Sequence, residues 1–141
     1  MKSYEKEAID CLKGKALRQT AARLQVLSVL LAKGVALSHA DIEEGVLGEL
    51  DRVTLYRTLN TFEEKGVTHR VLDEAGTAKY ALCDHSCNDA HHHDHHLHFH
   101  CRLCGDIFCL DDHIGAHPNL PKGFQAENIE VNVKGVCKKC S

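Results

Sequence analysis

Residues 51–82, DRVTLYRTLNTFEEKGVTHRVLDEAGTAKYAL, change hydrophobic period part-way along, and that change decides the fold. Up to residue 64 the period is helical. Leu55, Leu59 and Phe62 stand at i, i+4 and i+7 and share one face, with Asp51 placed to cap the first turn and Gly66 to end the helix. Beyond Gly66 the pattern alternates over residues 67–72 and 77–82 around DEAG, which predicts a β-hairpin with Gly76 in its turn. The opposite helix face carries Val53, Tyr56, Arg57, Asn60 and Thr61. A Tyr–Arg pair exposed in the first two turns, beside small polar Thr54 and Thr58, suits a helix that reads base edges in a major groove, although many such faces are simply solvated.

Upstream, Tyr4, Ala8, Ile9 and Leu12 recur at helical spacing before Gly14, and Cys11 reads as core packing beside that stripe. A second helix starts after Thr20 as N-cap, buries Leu24, Leu27, Leu30 and Leu31, and stops at Gly34. Arg18 and Arg23 flank its start as solvated charges or phosphate contacts. Residues 38–41 resemble a capping box with Asp41 in place of Glu, opening a third helix. Three or four short helices closed by a hairpin are the order of a winged helix-turn-helix.

The 141 residues allow one ordinary domain or two small ones. We expect an α+β chain: a winged-helix domain over 1–83, then a small α/β metal-binding dimerisation domain over 84–141. No apolar run reaches the roughly 18 residues of a membrane span and no leader-like segment opens the chain, so a cytoplasmic protein without a membrane partner is expected. Eight cysteines then point to metal or redox chemistry more than to disulfides. The formal charge is −3, and residues 1–82 hold twelve Lys/Arg against twelve Asp/Glu, so DNA binding must rest on where the cations sit.

Residues 91–109, HHHDHHLHFHCRLCGDIFC, hold seven of twelve histidines and three of eight cysteines. Imidazole and thiolate are the ligands that zinc selects. Cys101 and Cys104 form a CxxCG knuckle, and Cys137 and Cys140 form a second CxxC. Together they can supply four thiolates to one structural zinc, a reading favoured over free thiols or a redox CxxC. In a strand, His96, His98 and His100 share a face. His96 and His98, with Cys83 after the hairpin and His69 on its first strand, are the ligands expected for a second, regulatory site drawn from both halves of the chain, the alternative for His69 being a lone surface histidine. His91, His92, His93 and His95 read as a metal-collecting loop that Cys87 joins or ignores, and Cys109 reads as core or as one further ligand.

RQTAARLQVL (18–27), VTLYRTLNTFEEKG (53–66), the HDHHLHFHCRLCG run ending at Gly105, and KGVCKKC (134–140) together resemble the ferric uptake regulator family over nearly the whole chain. The resemblance implies a homodimeric winged-helix repressor on a palindromic double-stranded DNA operator, with a four-cysteine structural zinc and a sensed metal at the hinge. It places DNA contacts on Tyr56 and Arg57, with Arg18 or Lys15 in the minor groove. The pairing of His69 with the cysteine of YALC looks like the zinc uptake regulator branch, and a thiolate in the sensing site also favours zinc. Ala36 stands where the iron-type pattern has a histidine. Leu97 and Ile129 replace ligands of the family's auxiliary third site, which counts against that site here.

The alternatives are an iron or peroxide sensor of the same family, a zinc hydrolase, and a metal-storage protein. A hydrolase lacks support in the sequence, which has no HExxH and no carboxylate placed as a general base. Storage would explain the histidines but not the winged helix.

Overall fold

Short polar side chains start three of the four helices of the N-terminal half. In the computed structural model, which describes residues 4–46, 48–82, 96–111, 119–127 and 130–141 without the side chains of His96, Asp111 and Glu130, α1 spans Glu5–Gly14. Thr20 Oγ1 accepts the Arg23 N–H at 3.2 Å and opens α2 (Ala21–Lys33). Gly34, at φ +69°, closes it in a left-handed turn that a side chain would strain. Ser38 and Asp41 exchange backbone-to-side-chain bonds of 3.2 and 3.1 Å, a complete capping box at the start of α3 (His39–Gly45). Asp51 accepts the Thr54 N–H at 3.2 Å and opens α4 (Arg52–Glu64).

The helices meet on Leu12, Val26, Leu27, Leu30, Ile42, Leu55, Leu59 and Phe62, each at most 1% exposed. Each such side chain contributes roughly 1.5–3 kcal/mol by leaving water. The face of α2 differs from expectation: Val26 and Val29 are buried, while Leu24 and Leu31 are only half-buried. The reason is position. α2 touches α1, α3, α4 and the hairpin, so its buried arc is wider than one leucine stripe.

The hairpin forms as β2 (Thr68–Leu72) and β3 (Ala78–Leu82), with Gly76 at φ +85°. A two-residue strand that the sequence pattern did not signal, β1 (Leu37–Ser38), pairs with β3 and gives the order β1-β3-β2. This ties the start of α3 to the wing. In the second half β4 (His96–Cys101) lies centrally, antiparallel to β5 (Ile107–Asp111) and parallel to β6 (Glu130–Gly135). The expected collecting loop and the expected short helix after Asp111 lie outside the described residues.

One face of the second sheet packs on the wing. Ile107 is 1% exposed and clusters with Ala36, Val71 and Ala81, and the Ala36 N–H donates to the Ile107 carbonyl at 2.8 Å. Among the described residues, no helix is long and apolar enough to cross a membrane.

Candidate functional site

The parallel pairing of β4 with β6 explains how two distant CxxC knuckles meet. Cys101 is level with Gly135, and the Arg102 N–H donates to the Gly135 carbonyl at 2.8 Å, so both strands deliver their knuckles to the same end of the sheet. Gly105, at φ +81°, lets the first knuckle turn back into β5. The ligand atoms of Cys101, Cys104, Cys137 and Cys140 all lie within 4.8 Å of one another. The Cys104 and Cys137 sulfurs are 3.8 Å apart. Tetrahedral zinc–thiolate bonds of about 2.3 Å require sulfurs about 3.8 Å apart, so the cluster already has the size of that ion's cage.

The thiols are not equivalent. Backbone N–H groups of Cys104 and Cys137 point at the Cys101 sulfur from 3.5 and 3.3 Å. Hydrogen bonding, led by the Cys104 N–H, brings the Cys101 pKa down to about 6. Cys140 is pushed up to about 12, first by its contact with the Cys137 thiol and then by desolvation. Four thiolates cannot coexist here without a cation, and a divalent ion is the group that this donor set fits.

A second cluster bridges the halves. His69 projects from the wing face that also carries Val71 and Ala81. His98 lies on the face of β4 directly opposite Cys109 on β5. His98 Nε2 and His69 Nε2 are 2.9 Å apart, and Cys109 Sγ is 3.1 Å from His69 Nε2. His98 is 2% exposed, so its imidazole is held out of water. Two imidazoles and a thiol at this range need only a few tenths of an ångström of expansion to reach tetrahedral zinc distances.

The sequence singled out His69 and His98 for this site, and the structure brings them together. Cys83 and the side chain of His96 lie outside the described residues. Cys109 completes the described cluster, and a register argument could have found it. Pairing across the CRLCGD turn keeps residue numbers summing to 207, which sets His98 opposite Cys109. His100, on the same strand face, instead contacts Asn132 Oδ1 at 3.2 Å.

Tyr56 on α4 is 51% exposed and Arg57 beside it is exposed, while Arg18 and the half-buried Lys15 lie between α1 and α2. Thr54 is half-buried and its hydroxyl donates to Asp51 Oδ1 at 2.6 Å, so it also reinforces the cap. Thr58, expected beside the exposed pair, is buried instead and donates to the Thr54 carbonyl at 2.8 Å; that internal bond satisfies the hydroxyl in the core. Arg23 Nη1 is committed to the Arg18 carbonyl at 2.9 Å, bracing the α1–α2 loop.

Residues 14–134 match the model of the ferric uptake regulator family. A ferric uptake regulation protein of Bordetella parapertussis is 29% identical over 142 aligned positions, covering 92% of this chain and 93% of the relative. Among solved structures, holo XcZur superposes at a TM-score of 0.66 with 22% identity, covering 97% of this chain and 96% of that one. The Vibrio cholerae ferric uptake regulator superposes at 0.59 with 23% identity, covering 91% and 98%. With a family match that spans most of the chain, and a helical domain joined to a sheet domain that carries a four-cysteine cluster, the protein belongs to the ferric uptake regulator family of metal-dependent DNA-binding transcription regulators.

Proposed function

We propose that the protein is a zinc-responsive repressor, acting in the cytoplasm as a homodimer on a palindromic operator, with domains over 1–83 and 84–141. Cys101, Cys104, Cys137 and Cys140 hold a structural zinc. The regulatory site is built on His69 and His98, joined by Cys83 and His96 as the sequence suggests and by Cys109. The observation that carries the sensing role is the His69–His98–Cys109 cluster, whose ligands come from the wing on one side and from two strands of the second sheet on the other. An ion bound there supplies a bridge between the halves, and a thiol among its ligands favours zinc over harder ions. His69 sits at the wing side of that bridge, so occupancy is read directly by the DNA-binding half. A bias of a few kcal/mol between conformations is enough for a switch.

Support for the homodimer comes from the other face of the second sheet. Leu97 pairs with Leu110 and Val131, and Phe99 with Phe108 and Val133, an apolar face on which Leu110 stays 43% exposed. Tyr56, Arg57 and Thr54 on α4, with Lys15 and Arg18, form the DNA-facing set. A two-fold protein would read half-sites about one or more helical turns apart.

Iron is the second reading, favoured by the relative's name as a ferric uptake regulation protein. Metal content of the purified protein, then operator mobility shift with zinc, ferrous iron or manganese in competition, separates the two. Zinc alone giving tight binding at the lowest free-metal level is the expected result. Equal operator affinity across all zinc concentrations would rule out zinc sensing.

A further inference from the structure

His39 begins α3, in the corner where β1, α3 and α4 meet. Its ring lies against that of Tyr56, centroids 3.8 Å apart at 37°, and meets Tyr80 edge-on at 5.9 Å and 75°. The two tyrosines differ in setting: Tyr80 is 6% exposed in the core of the wing sheet, and Tyr56 is 51% exposed. His39 is therefore the link that fastens an exposed phenol of α4 to the buried wing. Its Nε2 is buried with no hydrogen-bond partner among the described residues, so at that nitrogen the ring's contacts are aromatic rather than polar. Desolvation lowers its pKa, against the opposing field of Glu43 and with the help of Arg52, which favours the uncharged ring.

We infer that His39 is a positioning residue for DNA recognition, fixing the Tyr56 phenol at the DNA-facing surface by stacking. A free tyrosine side chain on a helix samples several rotamers and must be ordered when DNA binds. A ring packed on one side and anchored behind by Tyr80 has already given up most of that freedom. The α3 capping box and the β1–β3 pairing hold His39 itself: Ser38 is at once the N-cap and the partner of Lys79. This aromatic contact adds to the Arg70–Glu63 ion pair at 3.2 Å, which also joins the wing to α4.

This inference rests on the proposed contact of Tyr56 with DNA, and the test separates the two. The probe is a duplex enriched from a random library by the zinc-loaded wild-type full-length protein, with affinity read by fluorescence anisotropy. His39→Ala should weaken binding about threefold to tenfold, the range for one aromatic pair. His39→Phe, which keeps the stack without the buried nitrogen, should restore wild-type affinity. In the Tyr56→Ala background, His39→Ala should cost nothing further, because its effect passes through Tyr56. Thermal melts accompany each variant, and His39→Phe covers the case in which His39→Ala is unstable. Undiminished affinity in Tyr56→Ala would overturn the DNA contact and the inference with it. A normal loss in Tyr56→Ala, combined with an additive His39→Ala effect or with failure of His39→Phe to restore binding, would overturn the inference alone.

Discussion

The four-cysteine cage and the His69–His98–Cys109 cluster are two metal-competent clusters of one chain, built in opposite ways. The cage is made of two local CxxC knuckles that the β4–β6 pairing brings together, with the Cys104 N–H of one and the Cys137 N–H of the other both aimed at the Cys101 sulfur. The bridging cluster has no local motif. It exists only when the hairpin face of Val71 and Ala81 packs on Ile107 and the β4–β5 register sets His98 across from Cys109. A site whose ligands come preassembled stabilises the unit that contains it, whereas a site whose ligands come from two units reports how those units are arranged.

The largest effect that would sharpen this contrast is loss of the cage. Cys101→Ser or exhaustive chelation should abolish cooperative folding of the second sheet, since binding at such sites in small metal domains reaches the order of 10 kcal/mol. Circular dichroism and thermal melts check it, and an unchanged melt would remove the structural role. Next comes His98→Ala, which should lower bound zinc from two equivalents to one per chain by elemental analysis while the fold persists.

Cys109→Ser should act more narrowly, replacing a soft ligand by a hard one. Zinc affinity at the bridging site should fall roughly tenfold or more, with a smaller loss for manganese, measured by competition with a chromogenic chelator. A loss equal for both metals would argue that Cys109 packs without ligating. The smallest effect is expected at Glu74, whose carboxylate meets Lys134 Nζ at 3.0 Å with both side chains about two-thirds exposed. This pair also joins the hairpin to the second sheet, yet Glu74→Gln should change stability by less than about 1 kcal/mol and leave zinc dependence intact. A large effect there would mean that the halves are coupled by surface charge and not by metal.

The same contrast explains what the amino-acid sequence made legible. Thr20, Ser38 and Asp51 announced three helix starts because capping is a matter of a few adjacent residues, and the CxxC pairs announced the cage because spacing fixes a knuckle. The change of period at Gly66 gave the hairpin. Cys109 reads equally as core or ligand because its role depends on a strand register set across the CRLCGD turn. The burial of Thr58 and the wide buried arc of α2 are illegible for a related reason, since how many neighbours surround a helix is a tertiary property. β1, only two residues long, carries no period at all. The stacking of His39, which stands three positions from the histidine of the iron-type pattern, has no signal either, because its partners Tyr56 and Tyr80 come from other elements.

The central claim is that the bridging cluster is the sensing element, and zinc titration of operator binding by wild-type protein and His98→Ala tests it most directly. Wild-type affinity should rise with free zinc by a factor in the range of about 5 to 150, the usual span for coupled sites, and His98→Ala should stay at the low-zinc level throughout. A His98→Ala protein that keeps its fold and follows the wild-type zinc curve would contradict the account.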